Sequence, residues 1–305
     1  MAKSETDQRV EIDGRRLAVS NLDKVLWPET GFTKGEMIDY YARIAPALLP
    51  HVKGRPLSFK RFPDGVETNG FFAKNAPQGT PDWVRRVRLP TPGSSRARET
   101  LDFVLIEDVP SLVWAANLAA IELHVPQWTV GPRGAVRDAD LVVFDLDPGA
   151  PATVVECAQV ALLLREAFAA DGLEAWPKTS GSKGLQVYVP IKPAAPARTS
   201  DYAKSLAQRL ERDHPKLVTS KMAKVERPRK IFVDWSQNNG AKTTVAPYSL
   251  RARPREWVST PVTWEEVEAC RKVADLQFEA PVVLDRVERD GDLMAPLLTT
   301  RQPLP

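Results

Sequence analysis

The chain has 305 residues, 43% of them hydrophobic, and its 42 lysines and arginines against 39 aspartates and glutamates give a formal net charge of +3. This composition is typical of a globular protein with one large core or two fused smaller ones. It excludes a membrane span, since no run approaches roughly 20 apolar residues, and a secretory leader, since MAKSETDQRVEIDG is polar. Cys157 and Cys270 are too few and too distant for a disulfide scaffold or a zinc site. We therefore expect a cytoplasmic protein.

The first part of the chain mixes strand and helix patterns. Strands are predicted over residues 10–20, 57–64 and 100–106, and a helix over residues 34–52. The helix prediction is supported by Thr33 and Glu36, which fit a capping box before apolar residues at helical spacing. The apolar stretch 110–124 predicts a buried helix that ends near His124.

The second part predicts a strand–helix–strand unit. Strands are predicted over residues 141–147, 184–192 and 230–235, helices over 151–170 and 201–213, and a loop over 190–200. Alternation of this kind indicates an α/β or α+β fold. The residues after about 285 predict a loosely ordered terminus.

Two carboxylates follow a buried strand in LVVFDLDPG, residues 141–149. Side chains alternate along a strand, so Asp145 and Asp147 project from one face and Leu146 from the other. Like charges this close repel unless a cation or a proton lies between them. In KIFVDW a further carboxylate, Asp234, follows apolar residues. It is either a strand-end cap or a third ligand of an oxygen-rich site suited to Mg²⁺ or Mn²⁺.

Other stretches suit a phosphate-rich partner. In TSGSKG, residues 179–184, glycines allow backbone amides to point inward, while Ser182 and Lys183 supply a hydroxyl and a charge for phosphate oxygens. The adjacent Phe71 and Phe72 are either a hydrophobic plug or a platform on which bases stack. Basic clusters indicate a polyanion; they cover residues 53–62, 83–89, 94–99, 221–230 and 249–255.

Three classes of function fit these features. In a phosphatase of the haloacid-dehalogenase type, Asp145 would attack phosphorus and Asp147 would act as acid and base. Gly149 argues against that class, because a Thr or Val is usual at its position. Two-metal nucleotidyl transfer uses all three aspartates. The third class is a non-catalytic module that bridges DNA ends.

The ordered motifs D-L-D-P, T-S-G-S-K-G-L, H-V-P-Q-W, K-x-F-V-D-W-S-Q-N and A-P-Y-S-L-R resemble the polymerase domain of bacterial ligase D, a member of the archaeo-eukaryotic primase superfamily. The resemblance runs from about residue 10 to about residue 295. It implies mixed or antiparallel sheets flanked by helices, with catalytic carboxylates at strand ends. It divides a single domain, 1–295, into a DNA-binding part, about 1–135, and a catalytic part, about 136–285, before a tail at 296–305.

The resemblance implies a template-directed polymerase that extends primers, favours ribonucleotides, requires Mn²⁺ or Mg²⁺ as two ions, and fills gaps or ends in Ku-dependent end joining. Its substrates would be nucleoside triphosphates and gapped or broken DNA with a 5′-phosphate. No ligase motif K-x-D-G is present in the sequence, so we expect a stand-alone polymerase at the bacterial nucleoid that works with Ku and a separate DNA ligase.

Site residues also follow from the resemblance, position by position. It implies Asp145, Asp147 and Asp234 as the catalytic metal ligands; His124, Ser182, Lys183, Gln186, Arg251, Lys60 and Gln237 around the nucleotide; Asn21, Lys24 and Lys34 at the DNA 5′-phosphate; and Phe71 and Phe72 stacked on the template. The loop 90–99 corresponds to a family loop used in aligning broken ends. Many relatives carry His where this chain has Gln186, which cannot carry a proton charge, so we expect a different nucleotide affinity or sugar preference.

Overall fold

The structure is a computed structural model that describes residues 8–91 and 99–305. The strands are β1 Gln8–Ile12, β2 Arg15–Val19, β3 Val25–Trp27, β4 Phe32–Thr33, β5 Ser58–Arg61, β6 Phe71–Ala73, β7 Arg86–Pro90, β8 Thr100–Val104, β9 Ala120–Val125, β10 Trp128–Val130, β11 Val136–Pro148, β12 Trp176–Thr179, β13 Leu185–Ala194, β14 Val218–Thr219, β15 Ile231–Asp234 and β16 Thr244–Val245. The helices are α1 Lys34–Val52, α2 Val109–Asn117, α3 Val154–Ala170, α4 Pro196–Asp213, α5 Trp264–Ala269, α6 Ala280–Asp290 and α7 Pro296–Thr299.

Two sheets carry the residues of interest. The central sheet has the strand order β12-β13-β11-β15-β14, with β10 also paired to β11, and the flanking sheet has the order β16-β9-β5-β6. Within the central sheet β14 and β15 are parallel and the other pairs are antiparallel. The predicted mixed fold of sheets and helices is therefore confirmed.

Each sheet contributes to its own hydrophobic cluster. The first cluster joins α1, α2, β5 and β9 with buried residues between 246 and 258 and at the start of α6. The second joins β11, β13 and β15 with α3 and α4. The chain thus passes from the first cluster to the second and then returns to the first. This return brings Arg251 beside Glu122, which lies much earlier in the sequence.

Local sequence signals placed several helices correctly. The predicted helix 34–52 is α1, and Thr33 forms the capping box with Glu36: the Thr33 hydroxyl accepts from the Glu36 N–H and the Glu36 carboxylate accepts from the Thr33 N–H. Thr153 caps α3 in the same way. These reciprocal bonds satisfy N–H groups that a helix start would leave unpaired.

The predicted helix 110–124 is wrong in its second half. Helix α2 ends at Asn117, Ala119 adopts a left-handed φ of 55°, and β9 then carries His124. A short apolar run fits a buried strand as well as a buried helix. The burial of both faces of β9 hid its period of two.

Two further predictions are corrected. The segment 10–20 is not one strand but the end of β1, an Asp13-Gly14 turn with positive φ at both residues, and β2, as expected for an Asp-Gly hairpin. The loop 190–200 is instead the end of β13 and the start of α4, where Pro196 occupies the first turn and its fixed φ suits a helix start.

The last residues are ordered against the central sheet. After α6 and α7, Gln302 accepts from the Lys192 N–H at 2.7 Å and donates to the Pro190 carbonyl at 3.0 Å. Leu304 is buried. The predicted loose terminus is therefore wrong, because an apolar side chain and backbone pairing hold it. Most of the predicted end-aligning loop, 90–99, lies outside the described residues. No helix in the described ranges has the length and apolar character needed to cross a membrane.

Candidate active site

A row of polar side chains crosses four strands of the central sheet. Lys178 on β12 lies opposite Gln186 on β13, Gln186 lies opposite Asp145 on β11, and Asp145 lies opposite Asp234 on β15. Directly opposed residues share one face of a sheet. Asp147, two positions beyond Asp145 on the same strand, shares that face. The structure thus brings the three aspartates together, although Asp234 is far away in sequence.

The row concentrates negative charge. Burial, together with the charges of Asp147 and Asp234, raises the pKa of Asp145 to about 7, against a lowering contribution from the Gln186 hydrogen bond. Desolvation and Asp234 also raise the pKa of Asp147, while Arg227 and Arg251 lower it. A divalent cation relieves this kind of repulsion.

Amide donors already hold two of the aspartates. Gln186 Nε2 donates to Asp145 Oδ1 at 3.0 Å. Asp234 Oδ2 accepts from Gln237 Nε2 at 2.9 Å and its Oδ1 from the Ser236 N–H at 3.0 Å. Gln237, which the resemblance places around the nucleotide, therefore lies against a carboxylate, and Gln186 is 3% exposed with its amide bonded at both ends.

A side chain also fixes the strand that carries Asp145. Asn238, in the short 3-10 turn that follows β15, donates to the Val143 carbonyl and accepts from the Val143 N–H, both at 2.8 Å. Both backbone groups of a residue in the middle of β11 are therefore paired to one amide. The W-S-Q-N segment thus orients Asp234 and anchors β11 at the same time.

The donor set fits a hard metal ion in its chemistry. Within residues 8–91 and 99–305, no group of three or more His, Cys, Asp or Glu side chains stands ready to hold an ion as oriented. The three aspartates share one face of the sheet, but the oxygens of Asp145 and Asp234 face amide and hydroxyl donors. Each carboxylate oxygen can accept more than one interaction, so these hydrogen bonds leave the aspartates able to bind a metal.

Glu122 is the centre of a second cluster, on the flanking sheet. It is 2% exposed, and Lys60 on β5 lies opposite it. Its carboxylate accepts from the Ala252 N–H at 3.1 Å, lies 2.9 Å from His124 Nε2, and has Arg251 Nε at 3.4 Å and Lys60 Nζ at 4.0 Å. One buried carboxylate therefore gathers three residues that sequence reasoning had placed around a nucleotide.

The pKa values in this cluster follow from its composition. Burial alone would raise the pKa of Glu122, but the His124 hydrogen bond and the charges of Arg251 and Lys60 lower it to about 2. Burial lowers the pKa of His124, with contributions from Arg251 and Lys60 and an opposing one from Glu122. The cluster is therefore a firmly ionised carboxylate within a surplus of positive charge.

Arg251 connects the two sheets. Its Nη1 donates to the Ser180 carbonyl at 2.7 Å, in the turn that carries Ser182 and Lys183 between β12 and β13. Gly181 in that turn has a φ of 64°, and a Cβ there would lie 2.6 Å from Arg251 Cγ. A residue with a side chain would therefore displace the guanidinium. Ser182 is half-buried and Lys183 is exposed, so His124, Arg251 and this turn line one region beside the aspartates.

The aromatic pair lies on β6, a short strand of the flanking sheet. Phe71 and Phe72 are 45% and 50% exposed. The Arg61 guanidinium lies 5.3 Å from the Phe71 ring centroid, and the Phe72 ring meets His124 edge-on at 5.4 Å. Large apolar rings this exposed favour the stacking interpretation over a hydrophobic plug.

The residues proposed for a 5′-phosphate gather at the start of α1. Asn21 has a left-handed φ of 54°, Lys24 Nζ lies 3.0 Å from Asp64 Oδ1, and the Lys34 N–H donates to the Lys24 carbonyl at 2.8 Å. Lys34 Nζ donates to the Ser20 carbonyl at 2.6 Å. The structure thus brings the three together, with the Lys34 ammonium directed inward.

Sequence reasoning missed Lys178. This lysine is fully buried, and burial, with a contribution from Arg251, lowers its pKa well below the usual range against an opposing effect of Asp145. Its partners are Gln186 and Ser259, and Ser259 lies far along the chain. The one available signal was its position two residues after Trp176 on a strand, which puts it on a defined face.

The chain is similar to known proteins. The family described as LigD, primase-polymerase domain, matches residues 33–294. The chain belongs to this family. The LigD primase-polymerase domain is a metal-dependent nucleotidyltransferase, which confirms the predicted resemblance and enzyme class and disfavours the phosphatase alternative.

Related proteins agree along most of the chain. The polymerase domain of Mycobacterium tuberculosis ligase D, solved in complex with DNA, superposes with a TM-score of 0.86 at 42% identity and covers 94% of this chain and 99% of that one. The multifunctional non-homologous end joining protein LigD of Mycolicibacterium smegmatis is 43% identical over 283 residues, which are 92% of this chain and 36% of that protein. The bifunctional LigD of Bacillus subtilis is 31% identical over 278 residues, 90% of this chain and 43% of that protein. The chain thus spans well under half the length of these two relatives.

Proposed function

We propose that the chain is a template-directed polymerase that extends a primer to fill gaps and ends during repair of DNA double-strand breaks by non-homologous end joining. The observation that carries the proposal is the aspartate row beside the cationic cluster of Arg251 and Lys60, which also holds His124. Carboxylates that bind metal beside cations that bind phosphate are the two requirements of nucleotidyl transfer.

Asp145, Asp147 and Asp234 would hold Mg²⁺ or Mn²⁺, two ions in all, because carboxylate oxygens are the ligands that hard divalent cations prefer. The three aspartates would thereby hold a group that supplies activation of the primer 3′-hydroxyl and neutralisation of charge on the leaving pyrophosphate. The contribution of the chain itself is orientation. Gln186 and Gln237 donate to Asp145 and Asp234, which restricts rotation of both carboxylates.

Arg251, Lys183, Ser182, His124 and Lys60 would bind the triphosphate of the incoming nucleotide. The Arg251 guanidinium is already oriented by the Ser180 carbonyl and Glu122, so little rotational freedom is lost on binding. Charge-assisted bonds from Arg and Lys to phosphate are stronger than neutral ones. Ribonucleotides would be the favoured substrates, and Gln186 would act on them through Asp145.

DNA would bind mainly through residues 1–135, and chemistry would occur in residues 136–285. Phe71 and Phe72 would stack on the template, and the group at the start of α1, Asn21, Lys24 and Lys34, would contact the 5′-phosphate across a gap. Ku and a DNA ligase activity would act with it, at the bacterial nucleoid. The cation–π contacts of Arg61 and Lys60 with the two rings place positive charge where a nucleic-acid backbone would approach.

The test is extension of a primer across a short gap with a downstream 5′-phosphate, with ribo- or deoxynucleotides and Mn²⁺. We expect Asp145→Ala/Asp147→Ala to lower the extension rate on the order of 10³-fold or more, because several kcal/mol of metal-dependent stabilisation is lost, and to leave DNA affinity nearly unchanged, because phosphate contacts elsewhere supply it. The matched control, Glu166→Ala/Asp213→Ala, removes two exposed helical carboxylates. Templated extension that persists in the first variant would overturn the proposal, and a wild-type protein that only binds DNA would favour the bridging module.

A further inference from the structure

Lys178 is a buried amine, and within residues 8–91 and 99–305 its hydrogen-bond partners include no carboxylate. Its side chain is 0% exposed, and its Nζ donates to Gln186 Oε1 at 2.6 Å and to Ser259 Oγ at 2.5 Å. Both acceptors are neutral oxygens. The Tyr188 ring centroid lies 5.4 Å from the ammonium. Burying an amine in such an environment costs free energy, which indicates a role for Lys178 other than packing.

The contact with Gln186 has a directional consequence. A glutamine amide has a carbonyl end that accepts and an amino end that donates. Lys178 Nζ donates to the carbonyl end, Oε1, and the Tyr188 hydroxyl, 3.4 Å from the same oxygen, is a second donor on that side. The amino end faces Asp145 Oδ1 at 3.0 Å. The Lys178 amine thus holds the amide with its amino end toward the carboxylate.

We propose that Lys178 is a positioning residue for the metal-binding aspartates and that it acts through Gln186, whose amino end it holds toward Asp145. The inference rests on the proposed function, which assigns Asp145 to the metal. Without Lys178 the amide can turn over and present Oε1 to the carboxylate. Two oxygen acceptors would then repel each other, and Asp145 would rotate away from its neighbours on the row.

The sign of the effect separates positioning from simple electrostatics. If Lys178 acted only as a positive charge near three carboxylates, its removal would strengthen cation binding. Removal of a positioning donor would weaken it, because groups that hold metal ligands typically contribute about 10- to 100-fold in affinity. The two roles of Lys178 therefore predict opposite changes in the dissociation constant for Mn²⁺.

The experiment measures the Mn²⁺ dissociation constant by electron paramagnetic resonance of the free ion, together with the melting temperature, for Lys178→Met, Gln186→Met and the double variant. We expect Gln186→Met to raise the dissociation constant about 10-fold, Lys178→Met to raise it roughly 5-fold, and the double variant to match Gln186→Met, because residues that act as one unit are not additive. Lys216→Met, at an exposed loop lysine, is the matched control and should leave the value unchanged.

An unchanged or lowered dissociation constant in Lys178→Met, or an additive double variant, would overturn the proposal. If Lys178→Met does not fold, Gln186→Met still decides, because wild-type affinity in that variant removes the link to Asp145. A wild-type protein that binds Mn²⁺ no better than Asp145→Ala would instead contradict the metal site of the proposed function. The two failures are therefore distinguishable.

Discussion

The central and flanking sheets place buried carboxylates in opposite electrostatic environments. In the central sheet Asp145 shares a face with two more carboxylates, and burial and repulsion raise its pKa to about 7. In the flanking sheet the buried Glu122 lies beside Arg251, Lys60 and His124, and its pKa falls to about 2. The first arrangement has negative charge in excess and the second has positive charge in excess. A metal-bound triphosphate supplies what each of them lacks, and Arg251 contacts Glu122 while its charge also lowers the pKa of Asp147.

Arg251 interacts with carboxylates of both sheets, so we expect its substitution to have the largest effect on this arrangement. We expect Arg251→Met to raise KM for the incoming nucleotide roughly 10- to 100-fold, because a hydrogen bond to a charged group contributes about 1.5–3 kcal/mol. Steady-state extension at varied nucleotide concentration measures it. Arg251→Lys keeps the charge but not the fork that reaches both Ser180 and Glu122, so it should recover only part of the loss. A full recovery would show that charge alone matters.

The substitution Glu122→Gln tests the buried carboxylate of the flanking sheet by its effect on the free energy of unfolding. The folded-state pKa of about 2 lies below the usual 4.5, so the carboxylate contributes stability above pH 4.5 that is lost as the pH falls toward 2. We expect the variant to lose on the order of 2–3 kcal/mol at pH 7 and roughly half of that at pH 3, as measured by urea denaturation at both pH values. Glu166→Gln, on an exposed face of α3, is the control. A pH-independent difference would mean that packing, not charge, explains Glu122.

The smallest effect is expected at the aromatic pair, which lies beside the cationic cluster but outside its hydrogen bonds. We expect Phe72→Ala to weaken binding of template DNA by about 1 kcal/mol, at the low end for stacking on one base, with KM for the nucleotide unchanged. Fluorescence anisotropy with gapped and with fully paired DNA measures the difference. Phe72→Trp, which keeps a stacking surface, should bind as wild type, and equal weakening in both variants would contradict a stacking role.

The sequence was informative wherever the signal was local. The alternation in LVVFDLDPG placed Asp145 and Asp147 on one face, and the Thr33 capping box placed the start of α1. The family motifs then indicated Asp234 as their partner. The strand β9 was mistaken for a helix because an apolar run buried on both faces shows no period.

What the sequence could not supply was the set of long-range contacts. Glu122 holds Arg251, and Lys178 holds Ser259, across large separations in the chain. Such contacts depend on the register between strands and on the return of the chain to the first hydrophobic cluster. No local pattern specifies either of these. The roles of the site residues therefore remain predictions, while their neighbourhoods follow from the fold.

The Asn238 side chain restricts the register between β11 and β15. Its amide occupies the N–H and the carbonyl of Val143, next to the segment of β11 that pairs with β15. If β15 slid by two residues, it would need those same backbone groups, and a slip by one would turn Asp234 to the opposite face. The Asn238 side chain thus occupies the backbone groups of β11 to which a shifted β15 would bind. It favours the register in which Asp145 lies opposite Asp234.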